Sequence, residues 1–317
     1  MTRAFIPSEH TLRARPPEVQ PYLTTKDIEL AVNVAIACDR PLLLLGPSGS
    51  GKSTLARFVA WCLGSTYVEH VITSRTAAED LKWRFDAVRR LHAAQAQKPD
   101  EPVGGAHDRR FTSPGVLWEA FDPTGAATLR ALAPASHTMP ARVPNRAGYG
   151  DTGTVVLLDE IDKADPDVPN DLLVTLDARW FQCTDLDEPV SASADRKILV
   201  MITSNEEREL PRAFVRRCIV LRLTPHSNDE RRAIAERHHP GVSQYLLDRI
   251  DRVFERVKDW AKTASAAAPS TAEYLDAVKA CLELDFPIAA APSPADELDA
   301  AVEATLWKQG ARPMKKA

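Results

Sequence analysis

Residues 46–53 read Gly-Pro-Ser-Gly-Ser-Gly-Lys-Ser, a run whose residue types and spacing suit the binding of a polyphosphate. They match the pattern G-x-x-x-x-G-K-[ST]. Gly46, Gly49 and Gly51 allow the backbone to curl, so that successive N–H groups point into one concave nest. A helix that begins at the end of the loop would add the positive end of its dipole. The run therefore predicts a phosphate-binding loop.

The lysine and hydroxyl groups supply the specific contacts of this loop. We expect Lys52 to reach the β- and γ-phosphates of a nucleotide and the Ser53 hydroxyl to coordinate Mg²⁺. An apolar run precedes the loop and an amphipathic segment follows it, which is the context that a phosphate loop requires. The alternative is a simple glycine-rich turn between strand and helix. The candidate phosphate-binding residues are Gly46, Pro47, Ser48, Gly49, Ser50, Gly51, Lys52, Ser53 and Thr54.

Two adjacent carboxylates, Asp159 and Glu160, follow the apolar run TVVLL at 154–158. This places them at the carboxyl end of a predicted strand, where doubly wound sheets bind ligands. We expect Asp159 to hold Mg²⁺ through a water molecule and to belong to the nucleotide site. Glu160 is then the base that accepts the proton of an attacking water. The alternative is that the two acids only cap a helix that follows the strand. Because a phosphate loop precedes them in the chain, the adjacent acids favour hydrolysis of a γ-phosphate.

Asn205 ends the next apolar run, KILVMITSN. Its amide is predicted to orient the attacking water. The alternative is an ordinary turn residue after a strand.

Hydrophobic periodicity predicts the elements that position these groups. The fold class is α/β, with a parallel sheet between helices that is followed by a small all-helical domain. We expect an irregular arm over 1–21, an α/β core over 22–224 with inserts around 98–153, a helical unit over 225–286, and a linker and tail over 287–317. Within these, helices are predicted at 25–39, 51–62, 79–97, 168–177, 229–238, 242–264 and 271–284, and strands at 41–45, 66–73, 154–158, 197–202 and 219–223.

Composition excludes several classes of protein. The 40 basic and 44 acidic residues leave a formal charge of −4, and no basic stripe favours a nucleic-acid backbone, so nucleic acid is an unlikely partner. Five separated cysteines without a CxxC pair predict reduced thiols in a cytoplasmic protein. We expect no membrane span, because no apolar run approaches the roughly 20 residues that one requires. The N-terminus lacks the apolar stretch of a signal peptide.

Taken together, these motifs resemble those of the AAA+ ATPases, specifically the MoxR-like branch of the dynein-related group. The resemblance covers residues 22–285 and makes the two expected units a P-loop core and a helical lid. Beyond the two nucleotide motifs it rests on SRTAAEDLKWRFDAVRRLHAAQ (74–95), FTSPGVLWEAF (111–121), LDEIDKADPDVPNDLLVTLDARWF (158–181), TSNEERELPRAFVRRC (203–218) and PSTAEYLDAVKA (269–280).

The resemblance implies ATP and Mg²⁺ as ligands and a ring of subunits, usually a hexamer. An arginine from one subunit would complete the site of the next, with Arg217 as the first candidate and Arg216 as the second. It also implies a protein client and a partner with a von Willebrand factor A domain. One departure is that the start of the last lid helix, residues 269–273, carries no sensor-2 arginine.

Two other functions remain open from the sequence. One is an ATP-gated scaffold or switch that hardly turns over, and the other is a nucleic-acid-directed motor built on the same core.

Overall fold

A computed structural model describes residue 5 and residues 19–96, 108–132, 141–143, 153–284 and 295–308. It divides into two compact units. The first contains residues 24–45 and 55–222, and the second combines 20–23 and 46–54 with the chain from 223 onward. Most of the predicted arm and much of the predicted insert lie outside the described residues.

The structure contains ten strands and eleven α-helices among the described residues. The strands are β1 (Leu42–Leu45), β2 (Thr66–Val71), β3 (Trp83–Phe85), β4 (Thr112–Pro114), β5 (Ala141–Val143), β6 (Gly153–Asp159), β7 (Trp180–Cys183), β8 (Glu188–Ser191), β9 (Lys197–Ser204) and β10 (Ile219–Arg222). The helices are α1 (Lys26–Cys38), α2 (Lys52–Leu63), α3 (Ala87–Ala96), α4 (Val116–Phe121), α5 (Pro123–Leu132), α6 (Val168–Ala178), α7 (Arg212–Val215), α8 (Asn228–His238), α9 (Gln244–Thr263), α10 (Thr271–Glu283) and α11 (Ala295–Leu306). Short 3₁₀ helices span Arg109–Phe111 and Ile161–Lys163.

The first unit is built on a six-stranded sheet in the order β10-β1-β9-β6-β2-β5. The first five strands run parallel, and β5 pairs antiparallel with β2. Residues 153–158 of β6 are all buried, as expected where helices cover both faces of a parallel sheet. The α/β fold class predicted from the sequence is therefore confirmed.

The register of the central strands brings their carboxyl ends to one edge. Leu158 of β6 lies opposite Ile202 of β9. Leu45 of β1 lies opposite Ser204 of β9. The residues that follow β6 therefore lie next to the residues that follow β9 at this edge of the sheet. Gly46, the first residue of the phosphate loop, comes directly after the last residue of β1.

The helix predicted over 79–97 is wrong in its first half. Residues 83–85 form β3, and the helix begins only at Ala87. Leu81 and Trp83 are buried on alternate positions, which is the period of a strand, whereas Val88 is 65% exposed. The Asp86 carboxylate accepts a hydrogen bond from the Arg89 backbone N–H at 2.8 Å, so it caps a new helix start.

Aromatic packing holds two small antiparallel pairs, β3–β4 and β7–β8, against the core of this unit. Trp83 stacks on Phe181 with ring centroids 5.7 Å apart, and Trp118 meets the same phenyl ring edge-on at 5.9 Å. The Trp83 indole N–H also donates to the Asp185 carboxylate at 2.6 Å. The sequence analysis did not predict these pairs.

One described residue of the N-terminal arm is anchored in the first unit. Phe5 is fully buried and meets the Phe58 ring edge-on at 6.3 Å. Its backbone N–H donates to the Asn33 side chain at 2.9 Å, and the Asn33 amide donates back to the Phe5 carbonyl at 2.8 Å.

The helical part of the second unit has its own core, formed by α8, α9, α10 and α11. Arg231 lies inside it with its guanidinium 4.0 Å from the centre of the Phe254 ring, a contact that compensates part of the cost of burying the charge. Leu298, Val302 and Leu306 of α11 join the same core. The helical unit thus includes 295–306, a segment that we expected in the linker and tail.

Within the described residues, no helix combines the length and the apolar run that crossing a bilayer requires.

Candidate functional site

The glycines of the phosphate loop adopt backbone conformations that other residues rarely take. Gly46, Gly49 and Gly51 have φ angles of 147°, 73° and 85°. The Lys52 ammonium is buried and donates to the carbonyl oxygens of Gly46 and Pro47, each at 2.8 Å. The loop therefore curls around its own lysine.

Other residues of the second unit pack closely against these glycines. A Cβ atom at Gly46 would lie 2.4 Å from the Leu223 carbonyl oxygen, and one at Gly49 would lie 2.3 Å from the Ser270 hydroxyl. Ser270 is the N-cap of α10, so the amino end of that helix lies against the loop. The third glycine, Gly51, would place its Cβ 3.1 Å from the Tyr22 ring.

Tyr22 also packs against the phosphate loop. The ring is buried, and burial raises the pKa of its hydroxyl well above the usual range. Arg237 of α8 donates to the Tyr22 backbone carbonyl at 3.1 Å. The sequence did not place Tyr22 or Ser270 at the loop, because their proximity to it depends on long-range packing.

Ser50 shows that the loop fits an anionic ligand. This residue is only 4% exposed, and its hydroxyl has no hydrogen-bond partner among the described residues. A buried hydroxyl without a partner costs free energy, and a phosphate oxygen would accept a hydrogen bond from it. This unsatisfied donor fits the phosphates of a nucleotide.

In the first unit, Thr203 connects the two predicted acids. Its hydroxyl donates to the Asp159 carboxylate and accepts from the Glu160 backbone N–H at 2.8 Å. Thr203 is fully buried, so this hydroxyl has a single well-defined environment. The sequence analysis gave Thr203 no role, since only the register of β6 and β9 places it beside the acids.

The Glu160 carboxylate meets two other side chains. The Lys163 ammonium donates to Oε2 at 2.6 Å, and this hydrogen bond raises the pKa of the lysine. The Asn205 amide lies on the other side, with Nδ2 3.4 Å from Oε1. The structure thus brings the two predicted site residues Glu160 and Asn205 together, and it adds a lysine that was not foreseen.

The 3₁₀ helix after Glu160 is tied to the loop that follows β9. Asp162 is 3% exposed, and its carboxylate accepts from the Glu207 backbone N–H at 3.0 Å. Glu206 forms an ion pair with Arg222 of β10. These contacts keep the ends of β6, β9 and β10 in a fixed arrangement.

The two arginine-finger candidates lie at the end of α7, and both are exposed. Arg217 is 3.9 Å from the Asp177 carboxylate, a weak contact between two largely exposed side chains. Arg216 lines a cleft of about 530 Å³ together with Arg208 and Arg212. Among the described residues, none of these last three arginines has an ion-pair partner.

The parallel sheet, the glycine-rich phosphate loop and the acid pair after β6 define a P-loop nucleotide-binding protein. A family model described as the AAA domain of the dynein-related subfamily matches residues 41–218, more than half of the chain. The chain therefore belongs to this AAA family and carries a general AAA ATPase domain. No curated protein matches the sequence significantly.

The first prediction concerns the contact of Gly49 with the amino end of α10. Gly49→Ala places a methyl group against Ser270 and also incurs the roughly 1–2 kcal/mol of a left-handed backbone. We expect nucleotide affinity, measured with a fluorescent ATP analogue, to fall at least about 10-fold, equivalent to ~1.4 kcal/mol. Gly241→Ala is the matched control, because Gly241 also has a positive φ (87°) but nothing within 4 Å of its Cβ position. Equal affinities of the two variants would contradict the contact.

The second prediction concerns the Thr203 hydroxyl. Thr203→Val keeps the shape of the side chain but removes the groups that hold Asp159 and Glu160. We expect the ATPase kcat to fall about 10- to 100-fold, as when supporting residues of a metal site are lost. Thr203→Ser retains the hydroxyl and should retain most of the rate. A valine variant with full activity would show that the hydroxyl does not position the acids.

Proposed function

We propose that this chain is the ATP-hydrolysing subunit of a ring, of the MoxR-like kind, that remodels or activates a protein client. The observation that carries the proposal is the support of Glu160, whose backbone is bonded to the Thr203 hydroxyl and whose carboxylate is beside Asn205. A carboxylate held in this way is suited to remove a proton from water.

The phosphate loop would bind the nucleotide. Its backbone N–H groups would cradle the phosphates, and Lys52 would exchange its two carbonyl partners for phosphate oxygens. Ser53 and Asp159 would hold Mg²⁺, the hydroxyl directly and the carboxylate through water. The bound ion would neutralise charge that develops on the phosphate oxygens.

Glu160 and Asn205 would act on the water that attacks the γ-phosphate. Asn205 would orient this water through its amide. Glu160 would take its proton as the bond from the water oxygen to the γ-phosphorus forms and the bond from the γ-phosphorus to the bridging oxygen breaks, which releases ADP. To accept this proton, the Glu160 carboxylate must direct one of its oxygens at the water.

An exposed arginine at the end of α7 would complete the site of the next subunit. A guanidinium against the γ-phosphate is worth about 10³–10⁵ in rate. Arg217 remains the first candidate, since its 3.9 Å contact with Asp177 is too weak to hold it in place, and Arg216 the second. Ring formation, in a hexamer, is part of the same proposal.

The protein client and the von Willebrand factor A-domain partner are proposed from the family resemblance alone.

The start of α10 carries no sensor-2 arginine at Ala272 or its neighbours. The amino end of this helix nevertheless contacts the phosphate loop through Ser270. We propose that nucleotide binding moves the helical unit through this contact. Such a movement would transmit the free energy of ATP hydrolysis to a bound protein.

The third prediction tests whether the site is shared between subunits. The ATPase rate per subunit should rise with protein concentration and should fall by about 10³-fold or more in Arg217→Ala. Mixing Arg217→Ala with Glu160→Gln should restore part of the rate, because an intact Glu160 in one subunit then receives Arg217 from its neighbour. Arg252→Ala, at an exposed position of α9, is the control and should not change the rate.

A rate per subunit that does not depend on concentration and survives the loss of both Arg216 and Arg217 would exclude the shared site. Turnover close to zero in the wild-type protein with nucleotide-dependent assembly intact would favour a scaffold. Stimulation by DNA or RNA that decreases with salt would favour a nucleic-acid motor.

A further inference from the structure

The cleft of about 530 Å³ in the first unit lies beside the carboxyl ends of β1 and β9. Its volume is in the range of about 300–1,000 Å³ that ligand pockets occupy. Three charged residues line it, and they are Arg208, Arg212 and Arg216. Its apolar lining includes three partly buried residues that pack against the hydrophobic core, Leu45, Leu210 and Val215. We call this site the arginine cleft.

The three arginines of the cleft carry positive charges that the described part of the chain does not pair. All three are exposed, and none has an ion-pair partner among the described residues. Arg212 and Arg216 are one helical turn apart, since the Arg216 backbone N–H donates to the Arg212 carbonyl at 3.1 Å. Like charges at this spacing repel each other. An anion bound in the cleft would relieve this repulsion.

Two glutamates also line the cleft, and they limit the kind of anion that fits. Glu206 forms an ion pair with Arg222, so its charge is already compensated. Glu209 offsets only part of the positive charge of the three arginines. A nucleic-acid backbone carries a negative charge on every unit and would place some of these charges against Glu209. A ligand with a few separate carboxylates is better matched to this lining.

The apolar lining also distinguishes the cleft from the phosphate loop. Phosphate sites are built from backbone N–H groups that converge on the anion. Leucine and valine side chains offer no such donor, and they gain free energy when another apolar group removes them from water. The ligand that fits therefore combines an apolar group with carboxylates.

We propose that the arginine cleft binds a segment of a protein partner in which carboxylates flank one apolar side chain. The apolar side chain would contact the leucines and the valine of the lining. The carboxylates would pair with the guanidinium groups, whose planar N–H donors match the two oxygens of a carboxylate. This inference deepens the proposed function and rests on it for the existence of a protein partner.

Another exposed apolar surface of the first unit provides a comparison. Val88 and Leu91 of α3 are 65% and 57% exposed, and Arg89 lies between them in the sequence. The Arg89 guanidinium, however, is 5.4 Å from the centre of the Phe111 ring and donates to the Arg110 carbonyl at 2.6 Å. This arginine is thus engaged by the protein, in contrast to those of the cleft, so we expect an acidic segment to prefer the cleft.

The fourth prediction is a selectivity of peptide binding by the full chain. The probe is the fluorescein-labelled peptide Glu-Glu-Leu-Glu-Glu, and its binding is measured by fluorescence anisotropy. Replacing its glutamates by glutamine, or its leucine by serine, should weaken binding about 5-fold or more, because each change removes one of the two kinds of contact. A single-stranded oligonucleotide should not displace it. Equal binding of the three peptides, displacement by the oligonucleotide, or no binding up to about 1 mM would overturn the inference.

Variants of the arginines test the same site. The double variant Arg208→Gln, Arg212→Gln should bind the acidic peptide about 5-fold more weakly or worse, the upper range for an exposed ion pair. Its basal ATPase kcat should be unchanged, since neither arginine is among the proposed catalytic residues. Arg252→Gln, at an exposed position of α9, is the control and should bind like the wild type. Wild-type affinity in the double variant would overturn the inference, as would loss of its basal ATPase, which would assign these arginines to the nucleotide.

A crosslinking measurement locates the bound peptide without a variant of the protein. Benzoylphenylalanine replaces the central leucine of the probe, and its ketone, on irradiation, adds to a neighbouring C–H bond. A carbon–carbon bond and a hydroxyl group form, no atom is lost, and mass spectrometry identifies the joined residue. The crosslink should form at Leu45, Leu210 or Val215. A crosslink at Val88 or Leu91 instead would overturn the inference.

The wild-type protein separates the two proposals. If it hydrolyses ATP but does not select the acidic peptide, only the role of the arginine cleft is overturned. If it selects this peptide but neither binds nor hydrolyses ATP, the proposed function fails while the selectivity of the cleft stands.

Discussion

The parallel register between β6 and β9 is the constraint on which the catalytic group depends. Because Leu158 lies opposite Ile202, the next residue of each strand brings Asp159 to Thr203. A shift of one residue would turn Thr203 to the other face of the sheet and leave its buried hydroxyl unsatisfied. The apolar residues of both strands are buried between layers of helices, so the hydrophobic core and the site enforce the same register.

Hydroxyl groups at the end of β9 also stabilise two strained positions. Glu160 and Glu206 have φ angles of 64° and 62°, a left-handed conformation that costs a non-glycine residue about 1–3 kcal/mol. Each follows a strand end, and each backbone N–H donates to a hydroxyl of β9, Glu160 to Thr203 at 2.8 Å and Glu206 to Ser204 at 2.9 Å. Two adjacent hydroxyls at the end of one buried strand thus hold the loops that carry the proposed base and the arginine-pairing acid.

The sequence predicted those parts of the fold that depend on local pattern. The strand before the phosphate loop and the helices α8, α9 and α10 are within two residues of their predicted bounds, because apolar periodicity is a local signal. The prediction for the segment from 79 failed because the spacing of Leu81 and Phe85 fits a helical face as well as it fits the alternation of an extended strand. The contacts of Thr203 and Lys163 with the two acids could not be predicted, since they depend on register and on side-chain placement.

The proposed role of Glu160, to remove the proton from the attacking water, is tested by comparing nucleotide binding with turnover in one variant. Glu160→Gln keeps the size of the side chain and its contact with Asn205 but removes the basic oxygen. We expect this variant to bind Mg²⁺ and ATP with wild-type affinity while kcat falls by about 10²–10⁴, the range for loss of a general base. If the variant binds ATP and still hydrolyses it at the wild-type rate, Glu160 is not the base.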